Sequence, residues 1–225
     1  MRKSITNGLV TLIGGLSIFS LATETGRPQQ APAAKTWNFD GDAVDRLPAG
    51  FTSERTGRGP RGRWSVTADP AAPSKPNVLT QKSETDMEYR MPVAFVGDSK
   101  YGDLKLSVRF KILGGKIDQS AGLVFRSRNE SNYYLLRASA MDKDNQFRLF
   151  HVVEGRRVGV KGVALRLPLN EWHSMSVEVK GKHFRCYFDD QLKFEADDPT
   201  ITVQGRIGVW TRADAAASFD DLTVQ

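Results

Sequence analysis

Residues 103–113 read DLKLSVRFKIL. Leu104, Leu106, Val108, Phe110 and Ile112 alternate with Lys105, Ser107, Arg109 and Lys111, which in an extended chain turns one face apolar and leaves the other wet. The spacing predicts a half-buried strand, in which truncating Phe110 costs far more than truncating Lys111. The same period of two runs outward in both directions. Downstream, SAGLVFRS (120–127) and NYYLLRASA (132–140) are separated by the turn-forming RNES, and QFRLFHVV (146–153) and RRVGVKGVAL (156–165) flank a short hairpin connection, EGR (154–156). WHSMSVEVKGKHFRCYFDDQLKFEA (172–196) holds three more strands, turning at Gly181–Lys182 and at Asp189–Gln191, and GRIGVWTR (205–212) and SFDDLTV (218–224) close the chain. Upstream lie TWNF (36–39), RWSVTA (63–68), NVLTQ (77–81) and MEYRMPVAFV (87–96).

The count reaches about a dozen short strands, with no segment longer than about ten residues keeping a 3.6-residue apolar stripe. The chain is all-β. So many antiparallel strands in one domain curl or split into two packed sheets, a sandwich or jelly roll. No repeat of fixed period points to a propeller or solenoid.

The composition agrees with a packed domain: 225 residues, 40% hydrophobic, 26% charged and 9% aromatic. A single cysteine, Cys186, excludes an internal disulfide, a cysteine zinc site and an iron–sulfur cluster. Cys186 lies between Phe184 and Phe188 in strand parity and reads as a small buried hydrophobe.

Residues 1–22, MRKSITNGLVTLIGGLSIFSLA, begin basic at Arg2 and Lys3 and continue apolar and uncharged from Leu9 to Leu21. That is the pattern of a secretory signal, too short to span a bilayer, with Ser20 and Ala22 small enough for a cleavage site. Cleavage after Ala22 is expected, which makes the mature protein secreted or periplasmic with no membrane span. Residues 23–35 read as a flexible lead-in and 36–225 as the domain. Removing two of 32 basic residues leaves 30 against 26 acidic ones, a net charge of +4. Arg55, Arg58, Arg61 and Arg63 stand among glycines with no interleaved aromatic, so a solvated loop is expected and no nucleic-acid partner.

Four phrases taken together resemble the concanavalin-like jelly rolls of the laminin-G type, and in particular the 3-keto-disaccharide hydrolase-like domains. They are YGDLKLSVRFKI, GGKIDQSAGLVFRSRNESNYYLLRA, LNEWHSMSVEVKGKHFRCYFDDQ and GRIGVWTRADAAASFDDLTV. The resemblance covers most of residues 36–225. It implies two curved antiparallel sheets, an inner curve that binds carbohydrate or glycoside, a monomer, and, if the protein is an enzyme, a hydrolase or lyase acting on glycosides. Against that template Arg126, Tyr134 and Arg137 fall on the paired central strands, and Trp210 and Arg212 on the late strand. Sugar sites use a flat aromatic against the apolar face of a pyranose and planar donors for its hydroxyls, which these five residues supply. The fold also hosts non-catalytic binding and adhesion modules, so that class stays open. Where first and last strands meet, such sandwiches often hold structural calcium, which would recruit Asp40 and Asp220.

Within ETDME (84–88), Glu84, Asp86 and Glu88 share one strand face, the pattern of a retaining glycosidase that uses two carboxylates, Glu84 and Glu88 here. A solvated outer face explains the same string, since Met87, Tyr89, Met91, Val93 and Phe95 take the opposite parity and read as a core face. Asp40, Asp42 and Asp45 are spaced faintly like a calcium loop without the later glutamate ligand. His151, His173 and His183 each sit within a strand pattern, none near a nucleophile elbow, and GRGPRGR lacks the Lys-Ser/Thr of a phosphate loop.

Overall fold

The structure, a computed structural model, describes residues 1, 33–82, 87–141, 144 and 146–225. The signal segment and its cleavage site lie outside these, as do Glu84 and Asp86. The described residues from 33 to 225 form one compact unit. Its strands in order are β1 (Lys35–Trp37), β2 (Phe51–Gly57), β3 (Trp64–Ala68), β4 (Asn77–Gln81), β5 (Arg90–Val96), β6 (Leu104–Gly114), β7 (Ser120–Asn129) and β8 (Asn132–Ser139). Then follow β9 (Phe147–Val153), β10 (Arg156–Val163), β11 (His173–Lys180), β12 (His183–Phe188), β13 (Gln191–Asp197), β14 (Arg206–Thr211) and β15 (Ala216–Val224). Among the described residues there is no helix, and none therefore long and apolar enough to cross a membrane.

The strands make two antiparallel sheets. One has eight strands in the order β13-β12-β11-β6-β15-β4-β3, with β1 also paired to β15; the other has seven, β10-β9-β8-β7-β14-β5-β2. The expected sandwich is thus what forms. β6 lies at the centre of the eight-stranded sheet, between β11 and β15. Its apolar parity is buried as the alternation requires: Phe110 is 0% exposed, packed edge-on against Phe188, while Lys105 and Arg109 face out. Lys111 departs from the simple alternation. It is half-buried, ion-paired to Asp69 and poised over the Trp172 ring, so its aliphatic stem and charge are both in use.

The main core joins the inner faces of both sheets: Leu106, Val108, Phe110, Met175, Val177 and Phe184 from one, Leu123, Phe125, Tyr134, Leu136, Leu149 and Val209 from the other. Cys186 is buried in it, and burial pushes its thiol pKa up. β2 has no clear counterpart in the period-two reading, because it is an edge strand whose partly exposed run Thr52–Arg55 carries polar side chains on both faces.

Candidate ligand-binding face

The seven-stranded sheet is apolar on both faces. A second cluster, Val93, Phe95, Val124, Tyr133, Leu135, Phe150, Val152 and Trp210, comes entirely from this sheet and takes the parity opposite to the core. The register aligns it in rows. Val93 pairs with Trp210, Trp210 with Gly122, Gly122 with Arg137 and Arg137 with Arg148. Cross-strand partners share a face, so these side chains point away from the core together. The neighbouring row runs Phe95, Gly208, Val124, Leu135, Phe150 and Gly159.

Arginines roof this outer apolar layer. The guanidinium carbons of Arg137, Arg148 and Arg157 lie 5.1, 5.1 and 5.0 Å from the centre of the Phe150 ring, and that of Arg206 lies 4.0 Å from Phe95. Planar guanidinium on an aromatic face is a favourable cation–π contact, and it keeps the charged ends near the surface while the rings stay dry. Arg212, two residues beyond Trp210, donates from Nη1 to Asp118 Oδ2 at 3.1 Å and from Nη2 to Glu88 Oε1 at 3.1 Å. Asp118 is placed by its own loop: the Asp214 carboxylate accepts the backbone N–H groups of Lys116, Ile117 and Asp118, at 2.6 Å from Lys116 and 3.1 Å from Asp118. Burial raises the Asp118 pKa above the usual carboxylate value, against the pull of the Ser120 hydroxyl and the guanidiniums of Arg212, Arg137 and Arg157. Burial also lowers the Arg157 pKa, with Arg137 and Arg212 repelling it.

Where this face meets β5 the sheet opens into a cleft of about 520 Å³, lined by Arg58, Tyr89, Met91, Glu130, Tyr133 and Val152. Tyr89 is 63% exposed, an unusual state for a large ring. Its backbone carbonyl accepts the Arg58 N–H at 3.0 Å, and Gly57, at φ +77°, lets the chain pass where a Cβ would stand 2.3 Å from that oxygen. Tyr133 forms the floor, its hydroxyl 2.9 Å from Thr56 Oγ1. The cleft and the arginine roof are continuous, since Tyr133 pairs with Val152 and Val152 with Arg157.

The five residues expected to share a site divide by parity. Arg137, Trp210 and Arg212 lie on the outer face. Trp210 is 0% exposed, so it underlies the face instead of presenting a ring to solvent. Tyr134 points into the core, stacked on Phe125 at 5.6 Å, and its hydroxyl donates to Asp198 Oδ1 at 2.8 Å. Arg126 sits at positive φ, 47°, in the bulge between Phe125 and Asn129. That conformation swings its side chain inward, where it donates to the carbonyls of Gly102 and Ile201, both at 3.0 Å.

The remaining candidates are engaged elsewhere. His151, His173 and His183 each hold a carboxylate through Nδ1, at 2.8, 2.9 and 2.7 Å from Asp198, Asp189 and Asp197. Asp40 accepts the Asn77 N–H, and Asp220 accepts the Ser74 N–H and hydroxyl and the Asp221 N–H. Donors surround Asp220 where a cation would need oxygens, so these residues do not fit the implied calcium. Asp40, Asp42 and Asp45 are no better placed: among the described residues, no three His, Cys, Asp or Glu side chains are grouped to hold a metal.

Phe150, Arg148, Arg157, Tyr133 and Asp118 escaped the sequence reading, and of the parity read as core, Val93 and Phe95 are buried while Met87 and Tyr89, which precede β5, are exposed. The usable signal was the unbroken apolar run YYLL, which marks a strand buried on both faces.

No curated protein matches the chain. Among solved structures, the carbohydrate-binding module CBM66 from Bacillus subtilis superposes with a TM-score of 0.61 at 20% identity, covering 78% of this chain and 95% of that one. Domain 4 of AbnA, a GH43 extracellular arabinanase from Geobacillus stearothermophilus solved with arabinotriose, gives 0.56 at 12% identity over 85% and 92%. The Bacillus licheniformis β-glucanase gives 0.56 at 12% identity over 87% and 99%. These likenesses establish the jelly-roll sandwich. Residues 82–225, which hold β5 to β15 and hence most of the outer face, match the model of the 3-keto-alpha-glucoside-1,2-lyase-like domain, and the chain belongs to that family.

Proposed function

We propose that the outer face of the seven-stranded sheet binds a glycoside, with the cleft beside Tyr89 as its seat. The observation that carries this is the exposed Tyr89 ring standing over a cleft floored by Met91, Tyr133 and Val152 and edged by Arg58 and Glu130. A pyranose needs that combination: a flat ring for its C–H face, and charged donors and acceptors at the rim for its hydroxyls. A volume of about 520 Å³ suits one or two sugar rings. The family match and sandwich relatives named for carbohydrate binding and arabinan or glucan cleavage support the reading. Carbohydrate ligands of this kind lie outside the cytoplasm, in keeping with the signal-like residues 1–22.

A glycan panel screened by calorimetry, followed by incubation of the best binder and product analysis, tests binding and turnover together. Tyr89→Ala is expected to weaken binding about tenfold with unchanged melting. Full affinity in Tyr89→Ala overturns the assignment of the cleft.

A further inference from the structure

Arg148 and Arg157 are short of an acceptor. Arg148 Nε and Arg157 Nη1 are buried from water with no hydrogen-bond partner, and neither residue forms an ion pair among the described residues. Native proteins rarely leave buried charged donors in that state, because each has given up water without replacement. Both guanidiniums pack on the same ring, Phe150, alongside Arg137. The guanidiniums of Arg148 and Arg157 repel one another across that ring, so an anion entering beside them stabilises the arrangement.

Arg212 holds Asp118 through Oδ2 and Glu88 through Oε1, and neither carboxylate bonds Arg148 or Arg157. Room for Arg148 is built into the backbone: it lies across Gly159, where a Cβ would stand 2.0 Å from Nη2. Arg157 is paired in register with Val152, which also lines the cleft, so an anion at these donors sits at the end of a ligand lying in that cleft. Paired guanidinium donors match the planar oxygens of a carboxylate or the oxygens of a sulfate.

We infer that the ligand of this face carries an oxyanion, a carboxylate or sulfate on the sugar, held by Arg148 and Arg157. The inference rests on the reading of the cleft as a glycoside seat and names the class of glycoside.

Titration calorimetry of the full chain with methyl glucoside, methyl glucuronoside and methyl glucoside 6-sulfate, at low and high sodium chloride, tests it. At least one acidic glycoside is expected to bind about tenfold or more tighter than the neutral one, with the advantage shrinking at high salt. The two acidic probes distinguish carboxylate from sulfate. Arg148→Gln with Arg157→Gln is expected to reduce the acidic ligand to the neutral level. Should that double variant fail to fold, Gly159→Ala, which displaces the Arg148 guanidinium, is expected to lower the acidic preference alone. Equal affinity for all three probes overturns the inference and leaves the glycoside reading standing. An acidic preference that survives the substitutions also overturns it, by placing the anion elsewhere. Binding of none of the three overturns both.

Discussion

The indole of Trp210 lies against Gly122, so closely that a Cβ on that glycine would stand 3.3 Å from the ring's Cε3 and 2.8 Å from Leu135 Cδ1. The two residues are register partners on β14 and β7. The glycine makes the depression in which the largest side chain of the outer face is buried, and Arg137 stands on its other side. A mid-strand glycine ordinarily weakens a sheet; here the missing side chain is the space the ring occupies.

Gly122→Ala should therefore destabilise the fold by about 1–3 kcal/mol, as overpacking does. Gly41→Ala, with nothing within 4 Å of its Cβ position, should stay within about 0.5 kcal/mol of the parent. Urea unfolding of the two variants checks this, and equal midpoints would contradict the packing described for Gly122.

Trp210→Ala should cost about 3–5 kcal/mol, because the ring is fully buried and leaves a cavity. A sugar-stacking ring would instead leave the melting temperature nearly unchanged when removed. Calorimetric melting separates the two outcomes.

On β6, Phe110→Ala should also lose about 3–5 kcal/mol. Lys111→Ala should lose about 1 kcal/mol, since it breaks a partly buried pair with Asp69. The exposed Arg109→Ala should fall within about 0.5 kcal/mol of the parent. The ranking Phe110, Lys111, Arg109, read from denaturant midpoints, is the test.

Burial raises the Asp220 carboxyl from its ordinary 3.8 to about 6, with Asp221 beside it adding repulsion and the donors from Ser74 pulling the other way. A folded-state pKa above the unfolded one means the native state binds more protons between those values. Its contribution is thus present below pH 3.8 and is lost as pH rises to about 6. Asp69 and Asp198 shift downward and act with the opposite sign, so the comparison with Asp220→Asn isolates the effect. The variant should lose less stability than the parent between pH 4 and 6; an identical pH profile would refute the assignment.

The mature chain is expected to begin at Thr23. N-terminal sequencing of protein recovered from the envelope or medium reads this directly, and membrane-bound material retaining Met1 would contradict it.

The alternation in DLKLSVRFKIL and its neighbours determined the class of fold, because a period of two dictates which side chains must be buried whatever the partner strand. It placed β6, β11, β12 and β15 and the burial of Phe110 and Cys186 without any tertiary information. Membership of a site follows a different rule. Tyr133 and Tyr134 are adjacent and chemically alike, yet one floors the cleft and the other is core, a matter of parity in a sheet whose outer face is also apolar. Arg126 and Arg137 stand on paired strands of the same sheet, and the bulge after Phe125, with Arg126 itself at positive φ, sends the first inward. Arg148 and Arg157 meet on Phe150 only because β9 and β10 pair with Gly159 opposite that ring, the register shifting between Gly159 and Lys161. Local sequence thus decided which residues are strand and which are buried; strand pairing, the bulge and the empty space over Gly122 and Gly159 decided which charges and rings face a ligand together, because those depend on contacts between residues far apart in the chain.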